Sequence, residues 1–268
     1  MTKKRILYVS QEIAPFLPEN DLSKTSRFLP QAMNESGIDV RLFMPRFGCI
    51  NERRHQLHEV IRLSGMNLIV NDIDQPLIIK VASIPQARMQ VYFIDNEEYF
   101  KRKYTTEDKK GTFYQDNDER AIFFCRGVIE SVKKLGWSPD VIHCNGWMAS
   151  FLPMYLKKFY HDDPIFEKTK IVVSLYNQSF EGTLSDDLGD KLKFDGHSED
   201  DIKGFEKADY KKLTETAINY SDAVVKGSTE LDEDLLKLIE ESKLPTLEYA
   251  DGEYKEQYKP FYETLFEE

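Results

Sequence analysis

The chain has 268 residues, enough for one large or two small domains with a substantial buried core. Hydrophobic residues make up 41% of it, with 17 Phe and 14 Tyr, which is typical of a packed globular protein and excludes a disordered one. Of the net charge of −11, residues 230–268 contribute −9 (13 acidic and four basic residues), so the preceding 229 residues carry only −2. Because the sequence contains no basic face, nucleic acid is not expected as a partner.

The three cysteines, Cys49, Cys125 and Cys144, lie far apart and form no CxxC pair. We expect them to be reduced and mostly buried, which favours a reducing compartment and argues against zinc. After the basic N-terminus the apolar run at residues 6–9 is too short for a signal peptide, and no stretch approaches membrane-spanning length. The sequence therefore predicts a soluble, cytoplasmic protein with no membrane partner.

The first half of the chain predicts a parallel sheet with an insertion. Residues 5–10 and 38–45 are strand-like runs, and between them Ser23 can cap a helix over residues 24–36. Such a βαβ unit implies parallel strands joined by a right-handed crossover. Further strand-like runs at residues 57–70, 77–84 and 89–94 predict an antiparallel meander or hairpin inserted on that sheet.

The second half continues the alternation of helices and strands. Helical spacing begins at Asp118 and ends at Gly136, after which residues 139–156 predict a strand, a turn and a helix. Strand-like runs recur at residues 171–176 and 223–225, residues 185–204 predict a flexible loop, and no period is evident after Pro245. The fold prediction is therefore α/β: a Rossmann-like, mostly parallel sheet with helices on both faces and a hairpin or meander insertion over residues 1–245, followed by an acidic C-terminal tail, residues 246–268.

Seven segments of the sequence carry family-like motifs: residues 4–16 (KRILYVSQEIAPF), 37–48 (GIDVRLFMPRFG), 91–95, 116–126, 139–147, 177–182 and 220–224. In this order they resemble the N-terminal (starch synthase catalytic) domain of bacterial glycogen synthases and plant starch synthases. The resemblance implies one half of the two-domain glycosyltransferase fold called GT-B. It also implies the activity of an ADP-glucose:α-1,4-glucan glucosyltransferase, which is retaining and places an α-glucan and a nucleotide sugar in the cleft between two domains.

The first departure from the family pattern falls on the loop after strand 1. Where the family carries K-T-G-G-L, this chain has Pro18, Glu19, Asn20, Asp21 and Leu22. A lysine attracts a diphosphate, and glycines let backbone N–H groups approach its oxygens. At an effective dielectric near 20, each charge pair about 4 Å apart is worth roughly 4 kcal/mol before screening. Losing a cation and gaining two anions therefore predicts a degraded donor loop with poor diphosphate affinity.

Further departures fall on the implied sugar site. The family pattern D-x-x-H-x-H-D-W keeps Asp140, His143 and Trp147 here, whereas Asn145 and Gly146 replace the second His and Asp. Tyr176 stands where the family has the His of an H-N pair. The residues expected to line a surviving cleft are Glu12, His143, Asn145, Trp147, Tyr176 and Asn177. On the other interpretation, His143, Trp147 and Tyr176 are packing residues that contact no ligand.

Three hypotheses follow from the resemblance. The leading one is a catalytically impaired homologue, a pseudoenzyme that binds glucan or regulates glycogen metabolism. A second is an active glucosyltransferase half that needs a partner protein to supply the C-terminal GT-B domain, since the sequence given ends soon after the last predicted strand. A third is an interaction scaffold without sugar affinity.

The sequence gives no catalytic residue, cofactor or metal site. No cofactor is expected, because no GxGxxG follows strand 1. His55 and His58 do not make a metal site.

Overall fold

The computed structural model of the chain describes residues 3–267, and these contain one ten-stranded sheet. The strands are β1 (Arg5–Ser10), β2 (Asp39–Pro45), β3 (His58–Glu59), β4 (Met66–Val70), β5 (Ile73–Ile84), β6 (Met89–Asp95), β7 (Val141–Asn145), β8 (Lys170–Leu175), β9 (Ala223–Lys226) and β10 (Thr246–Leu247). Their order is β10-β9-β8-β7-β1-β2-β6-β5-β3, with β4 paired to β5. The seven strands from β10 to β6 are parallel, and β3, β4 and β5 pair antiparallel.

Strand β1 lies at the centre of the sheet, because β2 and β7 pair with its two sides. Its residues 6–10 are fully buried, as are all five residues of β7. A parallel strand covered on both faces needs such a continuous buried run, which explains why residues 5–10 show no polar alternation.

Ten α-helices complete the described part of the chain. They are α1 (Asp21–Glu35), α2 (Glu52–His55), α3 (Glu97–Phe100), α4 (Asn117–Leu135), α5 (Leu152–Phe159), α6 (Leu188–Phe194), α7 (Glu199–Ile202), α8 (Tyr210–Asn219), α9 (Glu233–Ser242) and α10 (Tyr254–Glu267). The step from β1 to β2 and the steps from β6 through β10 run in opposite directions across the sheet. Right-handed crossovers therefore place α1 on one face and α4, α5, α8 and α9 on the other.

Two local predictions are wrong. The first helix begins at Asp21, three residues earlier than predicted, because Asn20 caps it by accepting the Ser23 N–H, and the Ser23 hydroxyl accepts the Asn20 N–H in return. The segment at residues 185–204, predicted as a flexible loop, contains α6 and α7, and Lys191 within it is buried.

Residues 246–267, which contain six acidic residues and two lysines, pack against the sheet. Strand β10 extends the parallel sheet beside β9, and α10 packs against α1, which places it on the α1 face. The side chains of Tyr258, Tyr262 and Leu265 are buried. They recur at helical spacing on one side of α10, so this helix has a buried apolar and aromatic stripe. None of the helices in residues 3–267 is long and apolar enough to cross a membrane.

Candidate functional site

The topological switch point of the sheet lies between β1 and β7. These neighbours are parallel, with Ser10 opposite Asn145, and the chain leaves them toward opposite edges of the sheet. In open α/β sheets, ligands bind in the crevice beyond the carboxyl ends of such strands. The predicted residues Glu12 and Asn145 are both at this end of the sheet. The sequence-based choice of region therefore agrees with the topology.

Direct contacts join the two strand ends at this crevice. The backbone N–H of Gln11 donates to the Asn145 carbonyl at 2.9 Å, and the Met148 N–H donates to Gln11 Oε1 at 3.2 Å. Gly146 has φ +86° and ψ 156°, a combination almost restricted to glycine. A Cβ on Gly146 would lie 2.7 Å from Gln11 Cβ and 2.8 Å from Leu22 Cδ1. The Asp that the family pattern has at this position would not fit here without rearrangement.

The loop at residues 18–22, predicted from the sequence to be a degraded donor loop, leads into the start of α1. Asn20 Oδ1 accepts the Ser23 N–H at 2.8 Å, and Asn20 Nδ2 donates to Glu12 Oε2 at 2.6 Å. The Ser23 hydroxyl also donates to the Pro18 carbonyl at 2.9 Å, while Glu19 pairs with Lys24. The N-terminus of a helix binds anions through its free N–H groups. At α1, Asn20 already satisfies one of these N–H groups, and Glu12 and Asp21 place carboxylates nearby.

His143 lies in the interior of the protein. It is fully buried in the middle of β7, beneath α10. Its Nδ1 is 2.6 Å from the Tyr262 hydroxyl and its Nε2 is 2.6 Å from the Ser174 hydroxyl. Burial lowers the pKa of His143 to about 3, so the imidazole is neutral at physiological pH. Both ring nitrogens have protein partners, and the ring does not face an open cleft.

Asn145 and Tyr176 form a buried pair. The Tyr176 hydroxyl donates to Asn145 Oδ1 at 3.1 Å, and both side chains are buried. Burial raises the pKa of Tyr176, which keeps its hydroxyl protonated as a donor. The ring lies directly on Gly227, where an added Cβ would be 2.5 Å from the ring. The space for a Tyr in place of the family His therefore comes from Gly227, on the segment after β9.

Trp147 and Asn177 each have protein partners of their own. Trp147 is buried in a short 3₁₀ turn, with ring centroids 5.8 Å from Phe113 and 5.1 Å from Phe180. Asn177 is exposed, but its amide donates to the Glu230 carbonyl at 2.7 Å and accepts the Asp232 N–H at 3.0 Å. Asn177 thus fixes the loop before α9. Phe113 and Phe180 lie in polar loops, where no periodic pattern predicts that their rings pack on Trp147.

The six predicted residues do not line one open cavity. The space beside Trp147 and Tyr176 is only about 20 Å³, enough for about one water molecule. A larger cavity of about 460 Å³ lies beyond Phe113, lined by the loop at residues 181–187. Among residues 3–267, no three His, Cys, Asp or Glu side chains converge in a way that could hold a metal ion.

Comparison with known proteins identifies the family. The family model described as the starch synthase catalytic domain matches residues 5–245. The glycogen synthase of Chlorobium luteolum is 39% identical over 189 residues, which are 70% of this chain and 39% of that protein. The glycogen synthase of Chlorobaculum parvum is 35% identical over 227 residues, 84% of this chain and 46% of that protein. The chain thus spans less than half the length of these relatives.

The fold is also that of a solved structure, the catalytic domain of starch synthase IV from Arabidopsis thaliana bound to ADP and acarbose. The two superpose with a TM-score of 0.73 at 16% identity, over 92% of this chain and 51% of that one. The predicted α/β, Rossmann-like half of a GT-B fold is confirmed, and so is the resemblance drawn from the sequence motifs. The chain therefore belongs to the glycogen and starch synthase family and carries its starch synthase catalytic domain.

Proposed function

We propose that this chain is a glycogen synthase-like domain that binds α-glucan, or regulates glycogen metabolism through such binding, and does not transfer glucose by itself. The observation that carries the proposal is the closed switch point: the Gln11 backbone bonds to Asn145 of β7, the Gln11 side chain accepts the Met148 N–H, and Gly146 leaves no room for a side chain. A nucleotide sugar held at this crevice would need space that these contacts occupy.

The charge at the donor loop supports the same proposal. Glu12, Glu19 and Asp21 lie around the start of α1, and the nearby Lys24 is paired with Glu19. A diphosphate entering here would meet carboxylates without a free cation from this loop. We therefore expect weak affinity for ADP, which the Arabidopsis starch synthase IV structure contains together with acarbose. Binding of a glucan does not depend on that charge, because a glucan is neutral.

Two assays on the purified chain test the proposal. We expect no ADP-glucose-dependent elongation of maltoheptaose, and we expect calorimetric heat when maltoheptaose is added at millimolar concentration. The Chlorobaculum parvum glycogen synthase serves as the positive control for elongation. Clear elongation by this chain would refute the impairment, and elongation only after a second polypeptide is added would favour an active half that needs a partner domain. No heat with any maltooligosaccharide would favour the interaction scaffold.

We also propose a cytoplasmic location for this role. Cys49, Cys125 and Cys144 are all free thiols, and Cys49 is exposed, which suits a reducing compartment. Cell fractionation with an antibody to the chain checks this, and recovery of the protein from an oxidising compartment would contradict it.

A further inference from the structure

A further cavity lies at the edge of the sheet, where β3 pairs with only two residues of β5. Its volume of about 300 Å³ is at the lower end of the range of roughly 300–1,000 Å³ that small-molecule sites occupy. Ser83 of β5 and Gln90 of β6 face each other in the antiparallel ladder, and both line the cavity. Strands β2 and β6 separate this edge from β1, so the cavity is a different site from the switch point.

The polar groups that line the cavity are neutral or basic. They are Arg54, His55, Gln56, His58, Ser83 and Gln90. None of the lining residues is acidic, although Asp and Glu outnumber Lys and Arg by 47 to 36 in the chain. A cavity free of carboxylates in so acidic a chain favours an anion over a cation as its ligand.

The positive charge at the cavity has no counter-ion within the described part of the chain. Among residues 3–267, no carboxylate forms an ion pair with Arg54, His55 or His58. Glu52 is already shared by two basic side chains outside the cavity. Glu59 follows His58 in β3, where successive side chains point to opposite faces. Burial and the charge of Arg54 both lower the pKa of His55, and a bound anion would offset the second effect.

The fold holds the basic wall of the cavity in place. Asn51 caps α2 by accepting the Arg54 N–H at 2.9 Å. The half-buried His55 ring packs edge-on against buried Phe16, with ring centroids 5.0 Å apart. Gln56 ends α2 at φ 53° and ψ 47°, a left-handed conformation that favours glycine, yet its side chain lines the cavity. The backbone and the His55 ring are therefore positioned before a ligand binds, which reduces the entropy cost of binding.

The donor groups of this wall match the oxygens of a phosphate. Arginine offers a planar fork of N–H groups, and imidazole, amide and hydroxyl groups add further donors. Hydrogen bonds from a charged donor to an anionic oxygen are stronger than neutral ones. Val81, Ala82 and Pro85 form an apolar part of the wall, which an organic group can cover. A phosphate carried on a small carbon skeleton therefore matches both parts of the cavity.

We propose that this cavity binds a small phosphate monoester, with its phosphate held by Arg54, His55 and His58. The two glutamine amides and the Ser83 hydroxyl complete the donor set. The proposal does not rest on glucan binding, because a neutral glucan brings no negative charge to this wall. The monoester is thus a second ligand, bound apart from any sugar at the switch point.

The test follows binding of inorganic phosphate and phenyl phosphate by amide and imidazole NMR, at constant ionic strength set with sodium chloride. Both anions should shift the signals of residues 54–58 and raise the pKa of His55, and phenyl phosphate should bind more tightly because it also covers the apolar wall. R54Q should weaken binding of phenyl phosphate about tenfold. The matched control R53Q removes the same charge from the adjacent exposed residue, which does not line the cavity, and should stay within about twofold.

H58Q, at a second exposed position, should also weaken binding and checks the site independently if R54Q disturbs α2. Equal losses in R54Q and R53Q would show attraction by surface charge alone and overturn the site. Absence of shifts at residues 54–58 with either anion at millimolar concentration would do the same. Binding of inorganic phosphate without phenyl phosphate would assign the cavity to free phosphate, and tighter binding of a phosphoserine peptide would assign it to a protein segment. Either result would overturn the monoester.

Discussion

Restoring the family's acidic residue at the switch point should damage the fold without restoring activity. The variant G146D places a Cβ 2.7 Å from Gln11 Cβ and 2.8 Å from Leu22 Cδ1, at φ +86° and ψ 156°. The backbone strain costs about 1–3 kcal/mol and overpacking typically about 1–3 kcal/mol, so we expect a loss of about 2–6 kcal/mol in the free energy of unfolding. The variant G146A carries the same Cβ without the carboxylate and should show most of this loss.

Urea unfolding followed by circular dichroism measures the effect, with G65A as the matched control. Gly65 also has a positive φ of +83°, but a Cβ there meets nothing within 4 Å. We therefore expect G65A to lose only about 1–2 kcal/mol from its left-handed backbone. If G146A and G65A lose the same free energy within about 0.5 kcal/mol, the contact between Gln11 and Gly146 is not tight and the closed crevice is refuted.

Three other predictions test the hydrogen bond between His143 and Tyr262, the titration of His143, and the ion pairs of Lys191. Y262F should cost about 1–3 kcal/mol in urea unfolding because it leaves His143 Nδ1 without its partner, whereas Y254F, whose hydroxyl is 3.4 Å from its neighbour, should cost much less. The pKa of His143 is about 3 in the folded chain and about 6.5 when unfolded, so the unfolded state binds more protons between those values. The free energy of unfolding should therefore fall as pH drops below about 6.5, by about 1.4 kcal/mol per pH unit. NMR titration of the imidazole near pH 6.5 in the folded protein would contradict this. K191M should cost about 3–5 kcal/mol because it leaves the carboxylates of Asp118, Glu119 and Asp187 without their shared cation. K203M, at an exposed position, should be nearly neutral in the same assay.

The sheet was predictable because its central strands are buried on both faces. Residues 5–10 and 171–176 show continuous apolar runs, and helical spacing between residues 118 and 136 is equally clear. The sequence does not predict helix α10, because its mixed acidic and basic residues and Pro260 obscure a stripe formed by Tyr258, Tyr262 and Leu265. The four-residue spacing of those tyrosines was the available signal.

The sequence pointed to a region for the candidate site, but it could not predict the contacts of the residues there. The sequence motifs selected His143, Asn145 and Tyr176, but the partner of His143 on α10 is 119 residues away along the chain. No local pattern shows such a contact. The cap at Asn20 was within reach, because Asn followed three residues later by Ser fits the reciprocal pattern of a capping box. Residues that bond across loops, such as Gln11 and Lys191, become visible only in the folded chain.

The residues that depart from the family pattern contact one another in the folded chain. Asn145 and Tyr176, each in the place of a family His, bond to each other at 3.1 Å. Tyr176 has room because residue 227 is a glycine, and Gly146 lets Gln11 bond across the crevice. Because these pairs share contacts, their effects on stability should not be additive. Reverting Tyr176 to His alone would leave the Asn145 amide without its donor and a void over Gly227. The contacts at the switch point are therefore made by several residues together, and we expect that opening the crevice would require changing them together.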